Sequence, residues 1–124
     1  MFSIRVLPES ERGIEGERLG EIIIDDFRER FVCVPGDESV KQMENRWRQQ
    51  LTRLVEGNKI AVLSHDPRMA WVVYREGDQC FVRQVLSLDG TFVDHTVRQM
   101  NSGAGQQISE WQTHVRNIQK FIGA

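Results

Sequence analysis

Two cysteines, three histidines and no excess of basic charge in 124 residues dispose of several kinds of protein before any element is placed. Cys33 and Cys80 lie far apart inside apolar, strand-like runs, so they form no C-x-x-C pair and read as buried reduced thiols rather than a bridge or metal ligands. No stretch approaches the roughly 20 apolar residues that cross a bilayer. The opening Met-Phe-Ser-Ile-Arg-Val-Leu-Pro has neither the basic start nor the apolar length of a secretion signal, so a soluble protein of the cytoplasm is expected, with no membrane partner. There is no G-x-S-x-G and no glycine-rich phosphate cradle after a strand. A histidine adjoins a carboxylate only at His65-Asp66 and Asp94-His95, and neighbours on a strand point to opposite faces, so neither is an acid/base pair. His114 has Ile118 where a helical zinc site needs its second ligand. The expectation is therefore no enzyme, no cofactor and no metal.

What is present begins with charge. The net charge is −2, but residues 1 to 44 hold 11 acidic and 6 basic side chains (−5) and residues 45 to 124 hold 7 and 10 (+3). Acid is concentrated early, at Glu15, Glu17, Glu21, Asp25, Asp26 and Glu29 among others, and such asymmetry steers a basic partner. Rings alternate with arginine at Arg46-Trp47-Arg48 and along Tyr74, Phe81 and Arg83, a pattern that stacks on single-stranded nucleic acid. Trp47 also falls on a helical apolar stripe, and the acidic balance argues against direct nucleic-acid binding, so core packing is the expected use of that ring.

The stretch Met69 to Leu88 organises the rest. Two β-branched and aromatic runs flank Gly77-Asp78, a two-residue hairpin loop that pairs Tyr74 with Phe81, Val72 with Arg83 and Ala70 with Val85. Met69, Trp71, Val73, Val82, Leu86 and Leu88 form the face expected to point inward, with Tyr74, Phe81 and Arg83 on a half-exposed face. Before it, Phe2 to Leu7 alternates like a strand, and residues 8 to 19 read as an exposed loop. From Gly20 to Val34 the inward parity of Ile22 and Ile24 differs from that of Phe27 and Phe31, which a turn or bulge at Asp25-Asp26 repairs, giving a second hairpin. Ser39 and Gln42 form a capping box opening a helix whose stripe is Val40, Met43, Trp47, Leu51 and Leu54, stopped by Gly57-Asn58. Ile60 to Leu63 is a further short apolar run, and Thr91 to Val97 is expected to add a strand. Residues 101 to 107 read as a flexible linker, before a closing helix on Ile108, Trp111, Val115, Ile118 and Phe121 or Ile122, with Ser109 and Gln112 as its capping box. The fold class is α+β: one domain over residues 1–124, a largely antiparallel sheet of about five to seven strands, and two amphipathic helices packed mainly on one face.

Three segments in order, GERLGEIIIDDFRERF at 16 to 31, SVKQMENRWRQQLTRL at 39 to 54 and GQQISEWQTHVRNIQKF at 105 to 121, resemble bacterial immunity proteins of contact-dependent growth inhibition systems. The resemblance covers most of the chain. It implies a small cytoplasmic protein that binds a cognate toxin C-terminal domain, such as a nuclease, and neutralises it without catalysis. It carries no binding residues with it. The residues themselves offer an acid-rich edge of Glu15, Glu17, Glu21, Asp25, Asp26 and Glu29 that suits a blocker of a basic enzyme. The competing class is a small ligand-binding or enzymatic α+β domain with an unrecognised pocket.

Overall fold

Tight turns at Asp25-Asp26 and Gly77-Asp78 and one capped amphipathic helix dictate most of the architecture. The computed structural model describes residues 1–8, 17–100 and 108–123. Strands β1 (Phe2–Val6), β2 (Arg18–Ile24) and β3 (Phe27–Cys33) make one antiparallel sheet in the order β1-β2-β3. Strands β4 (Ile60–Ser64), β5 (Met69–Glu76), β6 (Gln79–Leu86) and β7 (Trp111–His114) make a second, in the order β4-β5-β6-β7. Helices α1 (Val40–Val55) and α2 (Val115–Ile122) complete an α+β fold of the class read from the sequence, with the strands divided between two sheets.

The β5–β6 hairpin has the expected register, and the expected second hairpin forms at Asp25-Asp26. Gly77, with φ +64°, closes β5 onto β6 with Tyr74 opposite Phe81 and Ala70 opposite Val85. Asp25 takes φ 52° at the β2–β3 turn, setting Ile24 opposite Phe27 and bringing Ile22, Ile24 and Phe31 to one core. Ser39 caps α1 by accepting from the Gln42 amide while the Gln42 side chain accepts from the Ser39 amide. The helix buries Met43, Trp47, Leu51 and Leu54 in one cluster with Ala61 and Leu63 of β4 and Trp71, Val73 and Val82 of the central hairpin, and α2 adds Val115 and Ile118 to it.

Four expectations are corrected. The closing helix is shorter than its periodicity suggests: Trp111 to His114 is an edge strand paired to β6, and the helix starts at Val115 with His114, not Ser109, as its cap. Thr91 to Val97 forms no strand; it holds a 3-10 turn, Val93–His95, behind Phe92, whose backbone is left-handed at φ 58°. Leu86 and Leu88 do not point inward but are 54% and 79% exposed, because the sheet ends at Leu86 and no described element packs over the chain beyond it. Tyr74 and Arg83 are buried rather than half exposed, since Phe92 and the strand residues Ala70, Val72 and Val85 close a second small core on that face. The expected linker at 101 to 107 lies outside the described residues, as does most of the loop at 8 to 19.

Leu51 is fully enclosed, so Leu51→Ala is expected to cost about 2 to 5 kcal/mol, a large share of the roughly 5 to 15 that hold a domain together. Urea unfolding monitored by tryptophan fluorescence measures this, and a midpoint unchanged from wild type would mean that α1 is not docked through this residue.

Candidate functional site

The described acidic residues of the early segment lie on or just before the β2–β3 hairpin but do not present one uniform surface. Glu15 lies outside the described residues. Glu17 is half-buried just before β2. Glu21 is 4% exposed on the outer face of the sheet, with Arg5 at 3.3 Å and Arg28 at 3.9 Å, so its charge is covered by arginine stems and offset by their guanidinium groups. Asp25 lies at the turn, where its carboxylate binds the Met1 ammonium at 2.8 Å and accepts from Thr113 and Asn117 at 3.2 and 3.3 Å, tying the hairpin to β7 and α2. Asp26 is exposed beside it, and Glu29 is half-buried opposite Ile22. Of the described set, Asp26 is thus the exposed carboxylate with no hydrogen bond or ion pair among the described residues.

The nucleophile and base candidates are engaged in structure. Burial pushes the Cys33 thiol up to about 12 and the Cys80 thiol up to about 11, which keeps both as unreactive thiols. His65 is 3% exposed; its Nδ1–H donates to the Val32 carbonyl at 2.8 Å, so Nε2 carries the lone pair that faces the Gln84 amide at 3.4 Å. That bond and the Val34 amide on the His65 carbonyl join β3 to β4. His95 Nε2 meets the Leu86 carbonyl, and His114 Nδ1 accepts from the Arg116 amide to cap α2. Trp47 belongs to the core and donates its indole N–H to the Ser64 carbonyl, which removes the Arg46-Trp47-Arg48 triplet as a stacking platform.

Tyr74, Phe81 and Arg83 do come together, covered by residues that sequence reasoning missed. Arg98 lies over the Phe81 ring at 3.6 Å and Arg83 over Tyr74 at 5.5 Å. Glu110 joins the two arginines, accepting from Arg83 Nε at 2.7 Å and from two nitrogens of Arg98, while Arg98 also reaches Glu76 at 2.8 Å. Arg98, then Arg83, hold the Glu110 carboxyl below its ordinary range. Nothing local in the sequence marks Arg98 or Glu110, because their meeting depends on the turn around Phe92 and on β7 returning to β6.

Burial lowers the His65 imidazole from its usual 6.5, outweighing the Val32 carbonyl and the Asp66 carboxylate, which act the other way. Because the folded value lies below the unfolded one, the associated stability is present in full above pH 6.5 and is lost as the pH falls through the folded value. Thermal unfolding between pH 7 and 5 is expected to show a falling midpoint whose slope is reduced in His65→Gln. Parallel slopes for the two proteins would contradict a neutral buried imidazole.

No family model and no curated protein sequence matches the chain. Among solved structures it matches a chain of the CdiA-CT/CdiI toxin and immunity complex from Enterobacter cloacae with a TM-score of 0.80 and 22% identity, covering 99% of this chain and 97% of that one. Both hairpins, both sheets and both helices fall within the matched length, so the protein has the fold of a component of a toxin and immunity complex.

Proposed function

We propose that this chain is a cytoplasmic immunity protein that binds the C-terminal domain of a cognate contact-dependent growth inhibition toxin and neutralises it by tight association, without catalysis and without contacting nucleic acid or membrane. The observation that carries the reading is the fold likeness over the full length of both chains to a component of a toxin and immunity complex. The resemblance of segments 16 to 31, 39 to 54 and 105 to 121 to immunity proteins selects this chain's role among the two components. A toxin that acts on nucleic acid needs a positive surface for phosphates, and an inhibitor of it gains association rate from carboxylates. In this reading Glu15, Glu17, Asp26 and Glu29 supply that charge, while Glu21 and Asp25 keep the hairpin that carries it in shape.

Co-expression with the C-terminal domain of the secreted protein encoded immediately upstream is expected to give a stable complex and to rescue growth. Cys33→Ala, Cys80→Ala and His65→Gln should each still protect, since none of these side chains performs chemistry. A folded variant of this set that loses all protection would overturn the non-catalytic reading, and failure of the wild type to bind or rescue would overturn the immunity reading itself.

Because Asp25 holds the amino terminus and β7, charge reversal is best made at Glu15, Glu17 and Asp26 together. Replacing all three by Lys is expected to slow association on the order of tenfold at low salt and to flatten the ionic-strength dependence. Stopped-flow mixing at two salt concentrations reads both quantities; an unchanged rate with an unchanged slope means the partner approaches elsewhere.

A further inference from the structure

Apart from Met1 and Val32, the exposed large apolar side chains of the described residues all belong to the stretch from Leu86 to Met100. Three of these five border concave ground. Leu86 and Val97 rim a cleft of about 380 Å³, and Met100 rims an adjoining cleft of about 350 Å³; Arg83 and Ile108 line both. Exposed apolar side chains grouped around concave ground mark contact sites more often than single ones do.

The floor of this double cleft has an unused donor set. The Arg83 side chain is 5% exposed, and its Nε donates to Glu110 at 2.7 Å. Its two terminal amines donate to no acceptor among the described residues, and as neither is a sealed buried atom, they open into the clefts that the side chain lines. A nearly buried guanidinium gains most from an acceptor delivered to it, since bulk water reaches it poorly. The charge around it selects the kind of acceptor. Glu110 already offsets Arg83, and Asp94 lines the larger cleft, so an incoming carboxylate would meet two of its own sign, while a neutral carbonyl would not. On the rim, the carboxylate of Asp94 pairs with no cation among the described residues.

We propose that this double cleft is the anchor for the toxin domain: it takes an extended toxin loop that is apolar at its centre and basic at its flank. The central side chains lie on Leu86, Val97 and Met100, a main-chain carbonyl of the loop accepts from the terminal amines of Arg83, and the flanking cation meets Asp94. The inference rests on the immunity reading and adds to it the surface that governs how long the complex lasts. Buried apolar and arginine anchors set dissociation, whereas outlying charge mainly sets encounter.

The test is surface-immobilised binding of the purified toxin domain encoded upstream to the full chain and its variants. Leu86→Ser with Val97→Ser changes two side chains of the cleft rim that are 54% and 69% exposed, so folding is not at risk. The pair is expected to dissociate about tenfold faster or more, with little change in association rate. Arg83→Lys keeps the charge for Glu110 but loses the terminal fork, and it is expected to raise the dissociation rate in protein whose unfolding midpoint matches wild type. Val32→Ser, which removes exposed apolar surface on the other sheet, is the control and should leave both rates as they are. If wild type binds and the serine pair dissociates within twofold of it, or no faster than the Val32 control, the cleft is not the anchor and the immunity reading stands. If wild type does not bind the domain, both fall.

Discussion

The β5–β6 hairpin is buried on both faces, and the remainder of the chain is arranged to meet that requirement. Trp71, Val73, Cys80 and Val82 are fully enclosed on one side, and Ala70 and Val72 are fully enclosed on the other. A hairpin alone is marginal in water, and each of these side chains contributes about 1.5 to 3 kcal/mol only if something covers it. On one side the cover comes from α1, α2 and the β1-β2-β3 sheet. On the other it comes from the segment after β6, where Phe92 enters the second core on a left-handed backbone at φ 58°. That conformation costs a non-glycine residue roughly 1 to 2 kcal/mol, which burial of the ring offsets. The turn is further held by Asp89, which accepts from Ser87 and Thr91, and by Ser87, which accepts from the Phe92 amide.

How far the fold was legible depended on whether its signals were local. The capping box at Ser39 and the parity break at Asp25-Asp26 are complete within a few residues, and both describe the structure as it stands. The closing element was not legible in the same way. Trp111, Val115 and Ile118 fit a helical period, yet Trp111 and Thr113 fit a strand period equally well over so short a run. What decides is pairing with Val82 and Cys80, far away in sequence. Leu86 and Leu88 were misread for a related reason: apolar alternation continued past the point where the partner strand, beginning at Met69, had no more residues to offer. Of the candidate site, the acidic composition was legible, but the individual carboxylates were not, because their use depends on which arginine or ammonium the fold brings to each.

Such pairing limits what charge counting says about recognition. The early excess of −5 includes Glu21, set between two arginines, and Asp25, bound to the amino terminus, so a partner meets less negative charge than the sequence suggests. In the second half the same holds for the opposite sign: Arg83 and Arg98 share Glu110, and Arg98 also holds Glu76. Screening over roughly 8 Å at physiological salt weakens what remains at the surface. Long-range attraction of this reduced size accelerates encounter for any basic protein and separates one basic protein from another poorly. In the proposed immunity role, discrimination has to come from shape, apolar contact and a donor that punishes a mismatched partner by staying unpaired. On this molecule those three properties coincide at Arg83 beneath the Leu86–Met100 rim, where the guanidinium is held by Glu110 and stacked near Tyr74 before any partner arrives. Under the proposed role such a pre-set anchor would lose little entropy on binding, so a small apolar area would be enough to lengthen the life of a complex whose formation the surface charge only hastens.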